Sequence, residues 1–400
     1  MSPRTPGNIP VWDDGQWTAL PSLDNHASAD ACVVGLGAAG LSAIAELAAL
    51  GRTVIGIDAG SIGGGASGRN GGILRAGTSH YYHDAVDALG HERARRLYEL
   101  TAAELDRAVR DTPNATRRCG VLRIAATNDE WDDCERQLNA LRADGVDARR
   151  MDSQFGRGLF VGTDGAMQPV SRCRMLAQAL MQGPGSGTTN TAASAGPPTP
   201  PTVRLFEQTP VTAIHPGSVV TARGRVACDT IIVAVDGGLE DLLPTLLGTV
   251  RTTRLQMLAT EPAHDVTIPC PISANGGFDY WQQLPDGRIA LGGGRNRAMD
   301  REWGAPADPT DEIQGYLDSV LRERIGTQAR VTHRWAARVA YTATGLPVLA
   351  EVEPRVWAAG GYCGTGNLLG PMCGRAAAQL SAGKSSELFE LLTQPAERAC

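Results

Sequence analysis

ACVVGLGAAGLSAIAELAALGRTVIGID, residues 31–58, is the stretch that decides the fold. Residues 31–36 form an apolar run that predicts a buried strand, residues 38–50 carry helical spacing closed by Gly51, and residues 53–58 predict a second strand. A strand, a helix and a strand in so short a span make a β-α-β unit, so the two strands run parallel. Gly35-Leu36-Gly37-Ala38-Ala39-Gly40 fits G-x-G-x-x-G at the turn from strand into helix. The first glycine permits the turn, the second lets backbone N–H groups approach a pyrophosphate, and the third lets helix and strand pack closely. The helix dipole adds attraction for the anion. Asp58 ends the next strand, where an acid accepts from a ribose hydroxyl. The context predicts a dinucleotide site; the plainer alternative is a glycine-rich turn in an ordinary doubly wound sheet. Flavin and nicotinamide dinucleotides share their adenine half, so the hexapeptide does not choose between them.

At 400 residues the chain has room for two or three domains. A hydrophobic fraction of 42% with 20% charged residues is globular, and a formal charge of −6 offers no footprint for nucleic acid. Lys384 is the single lysine, which argues against Schiff-base chemistry. Nine cysteines, none spaced as C-x-x-C, predict reduced thiols, a cytoplasmic location and no structural zinc. The N-terminus has no signal-peptide pattern. The apolar run 31–50 contains Glu46 and several glycines, so membrane insertion is not expected.

Residues 1–29 are polar, with Trp12 and Trp17 as anchors, and predict a surface extension without chemistry of its own. A glycine-rich loop, Gly63 to Gly72, follows the β-α-β unit and suits close approach to a flat ligand, although such tracts also serve as linkers. Helices are predicted over 84–110, 129–144, 239–247, 311–325 and 368–382, and strands over 119–125, 203–207, 211–214, 219–221, 230–235, 331–340 and 356–359. Pro285-Asp286-Gly287 predicts a hairpin between Tyr280-Trp281 and residues 289–291. Residues 182–202 read as a loose insertion.

Beyond the fingerprint the chain carries GASGRNGG (65–72), DGAMQP (164–169), TPVTAI (209–214), TIIVAVDGG (230–238), PDGRIALGGG (285–294), TGLP (344–347) and AAGGYCGTGNLLGP (358–371). In this order they resemble the D-amino-acid-oxidase (DAO) family of FAD-dependent oxidoreductases, the group of glycine oxidase, sarcosine oxidase and γ-glutamylputrescine oxidoreductase. The resemblance implies an α/β chain: a Rossmann-type FAD-binding domain with a parallel sheet, and a substrate domain with a large, mostly antiparallel sheet, the DAO or glutathione-reductase-2-like arrangement. It places the extension at 1–29, the FAD-binding domain at 30–115, 165–245 and 335–400, and the substrate domain at 116–164 and 246–334. It further implies that Gly35, Gly37, Ala38, Ala39 and Gly40 hold the pyrophosphate, that Asp58 and Ala59 face the adenosine, and that Val211 meets the adenine edge. Ala66, Ser67, Arg69, Asn70 and Gly71 would lie beside the isoalloxazine and ribityl chain. Gly361, Gly364, Thr365, Gly366 and Asn367, before the last helix, would aim N–H groups at the flavin pyrimidine oxygens.

The sequence departs from its relatives at several substrate positions. Their carboxylate-binding strand arginine falls at Val339, with Arg338 beside it on the opposite face of the strand. A second carboxylate contact, a lysine in sarcosine oxidases, falls at Leu368, and their oxygen-assisting lysine falls near Ala290. No cysteine stands at the flavin-attachment position near 339–340, and Cys363 is a poor substitute, so FAD is expected to be non-covalent. Arg75 matches an arginine that contacts the substrate carboxylate, the alternative for it being a salt bridge. Tyr280, Trp281, Tyr341 and His83 complete the expected catalytic face, against the plainer reading of core aromatics. His80 and His83 lack the carboxylate cluster that a metal would need.

The resemblance implies an oxidase taking a hydride from a carbon next to nitrogen of an amine or unusual amino acid, giving imine and hydrogen peroxide, with dioxygen as acceptor. Two alternatives stand beside it: a tailoring flavoenzyme acting on a heteroaromatic, indole-type acid, and a catalytically inactive flavoprotein subunit. The expected partners are a small-molecule substrate and dioxygen, without nucleic acid or membrane, in a monomer or homodimer.

Overall fold

The computed structural model describes residues 7–182 and 202–394, so nearly all of the insertion expected at 182–202 lies outside the described residues. Strand β1 (Ala27–Val34), helix α1 (Ala38–Ala49) and strand β2 (Val54–Ile57) form the expected β-α-β unit. β1 pairs in parallel with β2 on one side and with Arg225–Val233 on the other. Val203–Phe206 extends the sheet beyond β2, and Val356–Gly360 joins Arg225–Val233, both in parallel. Three antiparallel strands, Val211–His215, Ser218–Thr221 and Val348–Glu353, complete eight. Both faces are covered, so the second half of β1 and all of β2 are buried apolar runs: Ala31, Val33, Val54 and the following Leu36 join one core, Cys32, Val34, Ile55 and Ile57 the other.

The second eight-stranded sheet runs in the order Val331–Thr342, Val250–Pro262, Arg288–Gly293, Asp279–Gln283, Ile272–Ala274, Val121–Ile124, Gly156–Val161, Ala148–Ser153. All its pairs are antiparallel except Ile272–Ala274 with Val121–Ile124. A three-stranded sheet, Ile73–Leu74, Gly165–Met167 and Thr116–Arg118, bridges the lobes. Strand Val331–Thr342 pairs along almost its whole length with Val250–Pro262, so the domain boundary expected at 335 falls inside a strand of the antiparallel sheet. β1 likewise begins before the extension was expected to end.

The helix expected over 84–110 is two helices, Tyr82–Leu89 and His91–Asp111, divided at Gly90, whose φ of +84° breaks the helical path. The helix expected over 311–325 is α-helical only across Asp311–Ser319 and continues as a π-helix through Ile325. Among the described residues no helix is long and apolar enough to cross a membrane.

α1 and Gly366–Ser381 both begin at the carboxyl ends of the parallel strands and pack side by side, with Gly374 against the backbone of Ala39. The turn into α1 depends on two glycines. Gly35 sits at φ +101°, and a methyl group on Gly40 would overlap the carbonyl oxygen of Gly35. Gly40→Ala should therefore cost about 1–3 kcal/mol as an overpacked contact, read as a lowered Tm and reduced cofactor content, whereas a wild-type Tm would show that the turn relaxes.

Candidate functional site

A cavity of about 850 Å³ opens between the carboxyl ends of the parallel strands and one face of the antiparallel sheet. Its first wall consists of the fingerprint turn, the loop 64–71 and the turn into Gly366–Ser381. Gly35, Gly37, Ala39, Asp58, Ala66, Ser67, Arg69, Asn70, Gly71, Gly364, Thr365, Gly366 and Asn367 all line it. Asp58 accepts from the N–H of Leu36 (2.7 Å) and of Gly60 (2.8 Å), one on each oxygen, which leaves lone pairs for a further donor. Burial pushes its carboxyl above the ordinary value against the pull of those two N–H groups.

The loop is held by side chains the sequence had suggested for a ligand. Asn70 donates to the carbonyls of Ala66 and Ser67, and its oxygen accepts from Gly72 N–H and from the Asn367 amide. Arg69 donates to the carbonyls of Ala336 and Asn8. Both line the cavity, but the Asn70 amide and the Nε and Nη2 donors of Arg69 are spent within the chain. The extension shares this work, because the buried Trp12 indole donates to the Asn70 carbonyl at 2.8 Å and Asn8 reaches the cavity. The expectation that residues 1–29 carry no chemistry is corrected to that extent.

The opposite wall follows from strand register. Arg123 pairs with Ser273, Ser273 with Tyr280, and Tyr280 with Gly292, so this row shares one face of the sheet and its first three members line the cavity. The Tyr280 ring is wedged between glycines: a methyl on Gly71 would come 2.7 Å from the ring, and one on Gly292 would overlap it. Burial raises its phenol, so it stays protonated at neutral pH. Trp281, one residue on, turns to the other face and meets Phe155 edge-on in the core of the sheet lobe, which removes it from the site. Tyr341 lines the cavity under Arg295.

Arg75 and Arg123 stand together at this wall. Neither makes an ion pair among the described residues; Arg123 lies over the Tyr81 ring at 4.0 Å. Burial, and then the neighbouring Arg123, lower Arg75 to about 10, which still leaves it cationic at neutral pH. The acid behind them is Asp164, buried, with one oxygen accepting from Ala76 N–H at 3.0 Å. Burial raises it to about 7 despite the pull of Ala76 N–H, Arg75 and Arg123. Val339 and Leu368 line the cavity as apolar surface, while the Arg338 guanidinium turns to Asp241 at 2.7 Å.

Other expected residues lie elsewhere. His83 is turned into the helix packing beside Asp84 (3.1 Å) and Asp133 (3.9 Å), outside the cavity lining. Ala59 is exposed on the turn after β2, and Val211 begins an outer strand; neither reaches the cavity. Gly361 is also absent from the lining, since its N–H donates to Asp236 at 3.0 Å. Ala38 and Gly40 sit in the fingerprint turn without facing the cavity, Ala38 N–H donating to Ser67 Oγ at 3.0 Å. Sequence reasoning missed Arg123, Ser273, Arg295 and Asn8, whose roles depend on pairing partners far along the chain. Asp236 was missed too, although TIIVAVDGG displays it.

Residues 30–380 match the family model DAO, FAD dependent oxidoreductase. The chain is 26% identical to γ-glutamylputrescine oxidoreductase of Escherichia coli over 402 residues, covering 94% of this chain and 88% of that one. It is 27% identical over 414 residues to the probable oxidoreductase OrdL of Rhizobium meliloti, with the same coverage. The crystal structure of glycine oxidase from Geobacillus kaustophilus superposes with a TM-score of 0.71 at 19% identity, covering 94% of this chain and all of that chain (100%). The chain belongs to the DAO family of FAD-dependent oxidoreductases.

The first wall fits that cofactor. Among the described residues, the N–H groups of Gly364, Gly366 and Asn367 have no acceptor within the chain, and two helix N-termini converge there with Asp58.

An anion placed at the second wall would feel the ionisation state of Asp164. Below about 7 it is neutral and leaves the two guanidinium groups uncompensated; above that it ionises and offsets them. The Kd of hexanoate, followed through the flavin absorption bands, should therefore rise as pH increases through about 7, and Asp164→Asn should flatten the profile. An unchanged slope in the variant would assign the dependence to another group.

Proposed function

We propose that this FAD-dependent oxidoreductase oxidises the carbon next to nitrogen in an amine or amino-acid-like substrate that carries an anionic group, with dioxygen as acceptor and imine and hydrogen peroxide as products. The observation that carries the reading is the pairing of walls: a dinucleotide cradle faces a protein surface bearing Arg75, Arg123 and Tyr280 across one cavity. When bound, FAD supplies the hydride acceptor and the route of the electrons to dioxygen.

The side chains supply the rest. Arg75 and Arg123 bind and orient the anionic group, with the planar fork of a guanidinium suited to two parallel hydrogen bonds. The same two cations act on the substrate nitrogen, because nearby positive charge lowers the pKa of a bound ammonium and favours the neutral amine. Only the neutral amine has the nitrogen lone pair that assists hydride loss, so this proton leaves before the carbon reacts. Tyr280, protonated and fixed by Gly71 and Gly292, forms the floor of the site and does not act as a base. Non-covalent attachment remains part of the proposal: Cys363 lines the cavity, but its sulfur accepts from Thr342 N–H at 3.3 Å and burial raises its thiol.

Anaerobic mixing of the yellow holoenzyme with a panel of amines, N-alkyl amino acids and indole- or quinoline-type acids should bleach the flavin bands with at least one of them. Failure with every class, in protein that photoreduces normally, would refute the reading. With a substrate in hand, Arg75→Ala and Arg123→Ala should each raise KM by about tenfold or more with a smaller effect on kcat, the pattern of lost binding common to ground and transition states. An unchanged KM would remove that arginine from the anion site.

A further inference from the structure

We propose that the ligand carries two anionic groups, one taken by Arg75 and Arg123 and the second by Arg295. This rests on the amine-oxidising reading of the same cavity and narrows its substrate class.

Arg295 follows the left-handed turn at Gly294 (φ +75°), just past the end of strand Arg288–Gly293. Its guanidinium lies 4.4 Å from the centre of the Tyr341 ring, with Trp303 at 5.4 Å and Phe278 at 5.6 Å. Among the described residues its side chain has neither ion pair nor hydrogen bond, and Nη1 is withdrawn from solvent without an acceptor. The aromatic rings hold the cation in place and take none of the donors of its guanidinium plane. The N–H groups lie in that plane and remain unspent, the arrangement that accepts a carboxylate edge-on. The residue lines the same cavity as Arg75 and Arg123.

Placement across the sheet gives the two poles their geometry. Arg123 stands two strands from Tyr280 on one side through Ser273, a distance of about 10 Å between backbones at ordinary strand spacing. Arg295 lies on the other side, beyond Gly292, which pairs with Tyr280. A cationic centre therefore flanks Tyr280 on each side, and an extended dianion spanning them passes over the phenol. Arg338 and Arg69 are engaged within the chain, whereas none of these three arginines makes an ion pair among the described residues; Asp164, when ionised, partly offsets Arg75 and Arg123 but has no such relation to Arg295.

The test compares two probes of equal chain length, hexanoate with one carboxylate and adipate with two, by titrating the holoenzyme and following the flavin absorption bands. Adipate should bind about tenfold tighter than hexanoate or better, the scale of one charge-assisted contact. Arg295→Met should bring adipate to within about twofold of hexanoate and leave hexanoate unchanged. Equal affinity of the two probes in the wild-type enzyme would overturn the proposal without recourse to a variant. So would an Arg295→Met enzyme, with wild-type flavin content and Tm, that weakened both probes equally or neither. Bleaching by amines with no preference for adipate would retain the oxidase reading and reject the second anion site. Preference for adipate without bleaching by any amine would do the opposite.

Discussion

The carboxylate of Asp236 ties the two lobes together at the cavity, and the geometry of both walls depends on it. One oxygen accepts from the N–H groups of Gly361 (3.0 Å) and Tyr362 (3.2 Å), which lead into helix Gly366–Ser381, and the other accepts from Ala340 N–H (3.1 Å) in the outer strand of the antiparallel sheet. A buried carboxylate is costly, and burial does raise it, to about 6, but three backbone donors offset much of that cost. Asn70 acts as a second tie, since its amide fixes the loop 66–72 and meets Asn367 on helix Gly366–Ser381 at 3.1 Å. Between them the helix N-terminus, the loop and the sheet have little freedom to separate, and the space they enclose keeps its shape.

Charge is distributed in that space in opposition to the whole molecule. The chain has a formal charge of −6, yet the cavity contains Arg75, Arg123 and Arg295 without paired carboxylates. A field of this kind, focused between low-dielectric walls, concentrates anions and raises their capture rate. The same field bears on chemistry, because it disfavours a second cation such as a substrate ammonium. Asp164, neutral or ionised according to pH near 7, sets how strong that field is.

The parallel lobe was legible because its signals are local. Strand, glycine turn, helix and acid occur in order within 31–58, and each has a composition that no other arrangement explains as well. The sheet lobe was less legible. Strand Val250–Pro262 is the longest of the chain and was not anticipated, because most of it is buried and VRTTRLQMLATEP therefore lacks the alternation that marks a half-exposed strand. Tyr280 and Trp281 illustrate the limit at a single peptide bond: the hairpin was readable from Pro285-Asp286-Gly287, but which of the two aromatics faces the cavity is a matter of register. Arg123 depends on register twice over, through a parallel pairing with a strand some 150 residues away, and no local pattern encodes that.

The apolar Leu368, at a position where the family resemblance implied a cation, follows a physical logic once the arginines are located. Leu368 occupies the first turn of Gly366–Ser381, at the positive end of the helix dipole and beside amides that have no acceptor in the chain. A cation there opposes the dipole, and an apolar side chain does not. Leu368 instead packs with Leu74, Leu105 and Met167, which strengthens the junction between the helix and the bridging sheet. The cations of the cavity come instead from the segment after the loop 64–71 and from the sheet, and Tyr81 and Tyr341 offer ring faces to stabilise two of them. In the proposed reading, changes at these arginines alter what binds while leaving the cradle's backbone donors untouched.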